Sequence, residues 1–406
     1  MSPKIRRHRH IAFGLLFLVM MLVGISNSML FVVLPYLTRQ LGAGEMYIGL
    51  IFAGSSLLYM FFSPFWGWRS DVSGRRPVLL IGILGNGFSL LAMGLVSAWI
   101  GSGAATAAIA LLLLALSRAI YGLVGSSMQP AAQAYIVDRT DRTERTTALS
   151  LLAAGAGLGT VIGPPLAAWL SSGFGVANAI YVLVALSVVF FATVSIGLPE
   201  RRKPMARRLS GSALLDLIVD PRLRILLVIG ALSWMGQGVF LQTLLFFLSD
   251  RLQATASEVL PISGTILASG AISVLVLQFG LIPVLKPSPK QLMVAGAALA
   301  AFGSGLMIFV SSVWVIGLAF LLAASGFGLL RPGISSAASL RVRDHEQGGA
   351  AGLIGATAGA GFLLAPFTGL ALYQFIGPFA PFALLSVTLS LALLLAIFQP
   401  IDQNSD

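Results

Sequence analysis

The sequence predicts an all-α polytopic membrane protein, twelve transmembrane helices arranged as two six-helix repeats, and three observations predict it. Mean hydropathy is +0.94 over 406 residues, with only 10% of them charged, far outside the range of water-soluble domains. Apolar runs of about 20 residues, long enough to cross a bilayer, recur from end to end. The second half also repeats the first: residues 129–165 align without gaps on 331–367, with 10 of 37 positions identical, among them Pro130 with Pro332, Arg139 with Arg341, Glu144 with Glu346 and Pro164 with Pro366.

Taken in order, the helices are expected near 11–37, 46–67, 77–99, 105–137, 146–171, 176–198, 222–249, 257–285, 291–311, 313–339, 348–374 and 379–398. The opening "MSPKIRRHRH" looks like the start of a signal peptide. The apolar run after it is too long for a cleaved h-region, so an uncleaved first helix is expected. The longest polar segment, Pro199 to Arg224, divides the chain into an N-terminal half (1–198), a cytoplasmic linker (199–221) and a C-terminal half (222–406).

The formal charge of +11 reads as topology. With the N-terminus inside, 21 of the 25 basic residues fall on the inner side; the outer loops keep Arg39 and Arg251, and Arg118 and Arg331 lie within helices. That bias places both termini in the cytoplasm of a cell inner-membrane protein. It assigns the basic excess to topology and anionic lipid, and no nucleic-acid partner is expected. There is no cysteine, and His8, His10 and His345 lie in tails or loops, so no cofactor, metal site or catalytic site is expected.

"GWRSDVSGRRP", Gly67 to Pro77, falls between the second and third helices. It resembles the signature of the major facilitator superfamily at that loop, Gly-x-x-x-Asp-x-x-Gly-Arg-Arg/Lys. The preceding "LPYLTRQLGAGEMYIGLIFAGSSLLYMFFSPFWG" extends the likeness toward twelve-helix drug:proton antiporters such as tetracycline and multidrug exporters. The resemblance implies two halves with a substrate site between them near the midplane. It also implies that this loop is a gate, gripping the second half while the inner side is closed. On the residues themselves, Gly67 permits close helix approach, Gly74 a tight turn, Asp71 neutralises a helix N-terminus, and Arg75 and Arg76 pair with inner acids, Asp138 foremost. A basic loop that only sets topology is the alternative. The matching "LKPSPKQ" of the second half has neither the aspartate nor the Gly-Arg pair.

In the fifth helix, "GAGLGTVIGPP" sets Gly155, Gly159 and Gly163 on one face before Pro164. Such a face lets helices touch backbone to backbone. It resembles the antiporter motif of exporters in the superfamily, with Ala167 and Ala168 where that pattern continues to Gly-Gly; ordinary helix packing is the alternative.

A charge in mid-span is costly, which makes Arg118 and Arg331 functional candidates. Arg118 opens "RAIYG", resembling the family's Arg-x-x-Gln-Gly motif, whose arginine is linked to proton transfer; here Tyr121 replaces the glutamine. With Gly122, Gly125, Gln129 and Gln133, these residues are expected on one side of the fourth helix. Arg331, the repeat mate of Gln129, heads a similar stripe with Gly328, Pro332, Ser335 and Ser339. By the family pattern Asn27, Trp234, Gln237 and Gln242 join the substrate-binding set. An arginine bonded only to backbone carbonyls is the alternative for each. No Asp or Glu falls in mid-helix, although exporters of lipophilic cations in this family carry one. The residues therefore favour an exporter of an anionic or zwitterionic solute, such as a carboxylate siderophore, working by alternating access in exchange for protons. A broad multidrug or sugar exporter is the runner-up, with a lipid flippase behind it. A monomer is expected. An intramembrane enzyme would need paired carboxylates, a His cluster or an activated nucleophile, and the sequence offers none.

Overall fold

The computed structural model describes residues 3–140, 142–200, 220–310, 312–342 and 347–399, and within them the chain is helical with no strand. The first half holds α1 (Pro3–Ser28, resuming as Leu30–Gln40), α2 (Met46–Ser73), α3 (Arg75–Gly101), α4 (Ala107–Leu123, a 3-10 turn Gly125–Ser127, then Met128–Val137), α5 (Arg142–Phe174) and α6 (Val176–Gly197). The second holds α7 (Pro221–Leu252), α8 (Ala256–Leu275, a π turn Val276–Leu281, then Ile282–Leu285), α9 (Pro289–Phe309), α10 (Val313–Arg341), α11 (Gln347–Ala365, a π turn Pro366–Leu370, then Ala371–Phe375) and α12 (Ala380–Phe398). Among the described residues eleven of these are long and apolar enough to cross a membrane. The exception is α5, whose middle is diluted by glycines and the Pro164–Pro165 pair. The chain divides into two compact units, Met1–Arg207 and Arg208–Asp406. The segment 201–219, most of the expected linker, lies outside the described residues.

Each half is wired alike. In the first, α1 packs on α5, α3 on α6, and α4 on both α2 and α3; in the second, α7 packs on α11, α9 on α12, and α10 on both α8 and α9. Apolar burial drives little helix association in lipid, so close backbone approach and interhelical hydrogen bonds matter most. Gly159 shows this approach: a Cβ there would overlap the Met21 carbonyl and lie 2.9 Å from Ile25 N on α1. Its repeat mate Gly361 does the same on α7, where a Cβ would lie 2.6 Å from Met235 N and 2.5 Å from Trp234 Cβ. Gly155 meets the Phe17 carbonyl and Gly163 the Ile25 carbonyl, so the glycine face of α5 seats α1 within its own half; Pro164 follows it, buried. Larger side chains fill the remaining space. Leu16, Met20, Ile83, Met128 and Tyr135 pack in the first half, and Phe240 with Phe247, Phe327 and Phe382 in the second.

One expectation needs correction. The segment 67–77 is hardly a loop: α2 runs through Ser73 and α3 starts at Arg75, leaving Gly74 alone outside a helix. Its φ of 98° is a conformation that glycine adopts without strain, so one residue turns the chain. On α4 the 3-10 turn at Gly125–Ser127 tightens the winding, yet Tyr121 before it and Gln129 after it both meet Tyr59 of α2. Gly122 packs on α2 against the Ser55 carbonyl and Leu58, and Gly125 against the Tyr121 ring. Within the first half, a Cβ on Gly67 would stand 3.7 Å from Pro130 Cβ.

Candidate functional site

In the first half a polar cluster forms where α1, α2 and α4 meet. Asn27 donates from Nδ2 to the Val23 carbonyl at 2.9 Å and to Tyr121 Oη at 2.6 Å. Arg118 Nη2 donates to Asn27 Oδ1 at 3.2 Å, and its guanidinium lies 4.5 Å from the centre of the Tyr121 ring. Tyr59 stacks on Tyr121 at 6.0 Å and donates to Gln129 Oε1 at 2.9 Å. Ser55 fixes the helix below by donating to the Arg118 carbonyl at 3.1 Å. Arg118 is 5% exposed, and among the described residues its Nε has no hydrogen-bond partner. The cation is thus held by one amide and one ring face, with donors to spare and no carboxylate among its contacts. Gln133 is exposed and makes no hydrogen bond among the described residues. Tyr59 belongs to this cluster and the sequence reading missed it; a tyrosine inside the apolar run of α2 was the available signal.

The second half treats its cation differently. Arg331, on α10, places its guanidinium 3.8 Å from the ring centre of Trp234 on α7. Trp234 is braced in turn by Phe362 of α11 at 5.6 Å, beside Gly361. Among the described residues Arg331 makes no hydrogen bond and no ion pair, and its Nε is buried without a partner. Gln237 Oε1 and both amide atoms of Gln242 are likewise buried and unpartnered, and neither glutamine bonds to Arg331. Unpartnered polar atoms are uncommon in folded interiors, and an aromatic face alone compensates a guanidinium only partly.

The Gly74 turn gathers a third group. Arg75 Nε donates to Asp138 Oδ2 at 2.9 Å, and Arg75 Nη1 to Ser70 Oγ at 2.7 Å. Arg76 donates from its backbone N to Glu200 Oε2 at 2.7 Å and from its guanidinium to the Ser195 carbonyl. Glu200 therefore neutralises the N-terminus of α3. The role was expected of Asp71, whose side chain lies outside the described residues. Tyr135 and Arg139 donate to the Pro199 carbonyl at 3.1 and 2.8 Å, so 199–200 dock on the first half. The signal for Glu200 was an acid straight after the sixth apolar run.

The described acids keep to helix ends: Glu45, Asp138 and Asp220 at caps, Glu258 in the first turn of α8 and Asp250 in the last of α7. Asp250 accepts from Tyr373 Oη at 2.6 Å. Hydrogen bonds from Arg222 hold the Asp220 carboxyl below the usual carboxylate range.

Comparison with known proteins bears on what these groups serve. The family profile described as Major Facilitator Superfamily matches residues 16–286. Multidrug resistance protein MdtG of Citrobacter koseri is 25% identical over 325 residues, covering 78% of this chain and 76% of that protein. MdtG of Dickeya zeae is 26% identical over 317 residues, covering 75% and 74%. Among solved structures, the human organic anion transporter MFSD10 (TETRAN) superposes with a TM-score of 0.65 at 20% identity over 98% of this chain and all of that one. The nucleoside transporter NupG superposes with a TM-score of 0.72 at 14% identity, over 96% of this chain and 100% of that one.

Proposed function

The chain belongs to the major facilitator superfamily, and from that premise we propose that it is a secondary exporter of a small organic molecule, with a binding site suited to an anionic or zwitterionic solute. It is a multi-pass membrane transporter; the direction, the coupling and the charge of the cargo are what the proposal adds. One observation carries the charge: Arg331 lies within a membrane helix with a ring face as its sole partner among the described residues. A guanidinium so placed supplies a fork of donors to a carboxylate or phosphate and repels a cation. A carboxylate-bearing metabolite such as a siderophore fits that chemistry. Arg118, bonded to Asn27 and stacked on Tyr121, is assigned to coupling rather than to cargo. Protons are the proposed counter-ion. In the absence of a mid-span carboxylate among the described residues, they would be carried by Asp71, Asp138 or another acid at a helix end. The Arg75–Asp138 pair and the Gly74 turn are assigned to the gate.

A second reading has its own support: the curated relatives are named multidrug resistance proteins, which favours a broad-specificity drug exporter. One measurement separates the two. Purified protein is tested for binding, and proteoliposomes for flux with and without a pH gradient, using anionic, zwitterionic and cationic solutes. Arg331→Ala should weaken an anionic cargo by about 10- to 150-fold, the value of one lost charge-assisted hydrogen bond. Arg331→Lys should recover part of it. Unchanged anion binding, or a lipophilic cation as the transported solute, would leave the multidrug reading standing. The proposed orientation, both termini cytoplasmic, is tested with single cysteines. Ser102→Cys should react with an impermeant maleimide in intact cells and Ser210→Cys only after permeabilisation.

A further inference from the structure

The connection from α8 to α9 carries a feature that export does not use. Its last helical residue, Leu285, is followed by Lys286 at a φ of 45° and by Pro287 and Ser288. Ser288 then caps α9: its Oγ accepts from Gln291 N at 3.3 Å, while Gln291 Oε1 accepts from Ser288 N at 2.9 Å. Beneath this cap runs a groove of about 760 Å³, walled by Leu285 of α8, Val294, Ala295 and Ala298 of α9, and Ile397 of α12. Ala295 and Ala298 lie a turn apart on one face, and their small side chains form its floor. All three helices are membrane spans, and the flank of α8 beside the groove is apolar and exposed through Phe279, Val284 and Leu285. The slot therefore opens where acyl chains lie.

Its mouth is basic. Lys290 lines the groove, and among the described residues its Nζ makes one hydrogen bond, to the Gln399 carbonyl at 3.5 Å. Lys286 is exposed and makes no hydrogen bond or ion pair among the described residues. No described acid pairs with either. Two lysines at the end of a span above an apolar slot complement a phosphate headgroup with its chain below, and basic pockets between transmembrane helices recognise anionic lipids in this way. We propose that this groove is a binding site for one anionic phospholipid, its phosphate between Lys286 and Lys290 and one acyl chain along Ala295, Ala298 and Ile397. The site lies within the second half and depends on neither the cargo nor the orientation proposed above.

The test uses the purified full chain in detergent and counts bound lipid by native mass spectrometry during titration with phosphatidylglycerol or phosphatidylcholine. One phosphatidylglycerol should be retained per chain at concentrations where phosphatidylcholine is lost, and glycerol phosphate, the headgroup without its chains, should not displace it. Removing a juxtamembrane lysine should weaken binding about 5-fold, so Lys286→Gln with Lys290→Gln should cost about 30-fold. Ala298→Leu, which fills the slot and leaves the charge alone, should weaken binding independently. Equal retention of both lipids, full binding by both variants, or displacement by glycerol phosphate would overturn the proposal. So would a need to delete residues 400–406 before any lipid binds, because the chain's own tail would then be the occupant.

Discussion

The two halves share a scaffold and differ in where each keeps its arginine. Repeat mates Gly159 and Gly361 seat the first helix of each half on the fifth, beside the residue that meets the cation: Asn27 near Gly24 and Ser28 on α1, Trp234 on α7. The next layer diverges. Arg118 has Phe320 as its repeat mate, 5.8 Å from Phe240 in an aromatic core, whereas Arg331 has Gln129, which binds Tyr59. The first half has thus put its charge early on its fourth helix and an amide at the later place, and the second has put its charge late and a phenylalanine at the earlier place. The difference teaches that the Gly159 and Gly361 contacts, which tolerate no side chain, keep their glycine in both halves, while a mid-span charge moves as long as some group solvates it.

The severest way to break the comparison is at the shared scaffold. Gly159→Leu and Gly361→Leu each place a side chain into the backbone of the facing helix, and the overlap has no flexible neighbour to yield. Both should abolish folded protein, read as loss of a monodisperse peak in detergent chromatography. A folded, stable Gly361→Leu beside an unfolded Gly159→Leu would show that the halves do not share this contact.

The Gly67–Pro77 segment asks whether the halves are equivalent at their ends. The Gly74 turn holds Arg75 to Asp138 and Arg76 to Glu200, and the corresponding "LKPSPKQ" has nothing comparable. Asp71→Asn should remove most transport in proteoliposomes while leaving purified yield, thermal stability and cargo binding near wild type. Lys290→Gln in the matching segment of the second half should leave the rate of transport within about 2-fold, since that segment has neither the aspartate nor the Gly-Arg pair. Wild-type transport by Asp71→Asn would reduce the motif to a topology signal.

Much of this was legible beforehand, unevenly. Apolar runs gave twelve helices because span length is a property of the chain alone. Arg118 and Arg331 stood out because a mid-span charge is costly wherever it lands. What they touch was not legible. Tyr59 reaches Gln129 from another helix, and Glu200 reaches Arg76 across more than a hundred residues, which no local period encodes. Tyr121 and Gln129 of the α4 stripe both meet Tyr59, although the winding tightens between them at Gly125–Ser127. The Gly74 turn was expected as a loop because charges usually mark one, yet a single glycine at positive φ suffices.

The arginines themselves give the next prediction. Arg331→Ala removes a group with no hydrogen-bond partner among the described residues, so its loss should appear in anion binding and hardly in thermal stability. Arg118→Ala should do the opposite, breaking the bond to Asn27 at a cost of about 1.5–3 kcal/mol while cargo still binds. Transport by Arg118→Ala should also lose its dependence on the pH gradient. Should both variants lose anion binding equally, the division of labour between the halves fails.

The smallest effect offers the finest test. Tyr121→Phe removes the hydroxyl that accepts from Asn27 at 2.6 Å but keeps the ring face 4.5 Å from the Arg118 guanidinium. Asn27 Nδ2 retains the Val23 carbonyl, and Asn27 Oδ1 retains Arg118, so about 1 kcal/mol of stability should be lost. Trp234→Phe is its counterpart: a smaller aromatic face remains under Arg331, and anion binding should weaken by less than 10-fold, within the range of a partly desolvated cation–π contact. The informative reading is coupling. If Arg118 acts as a fixed charge, Tyr121→Phe transports with an unaltered pH-gradient dependence. If Tyr121→Phe uncouples as fully as Arg118→Ala, the hydroxyl itself relays the proton, and the first half holds a path through Asn27, Tyr121 and Arg118 that the stacked arginine of the second half cannot offer.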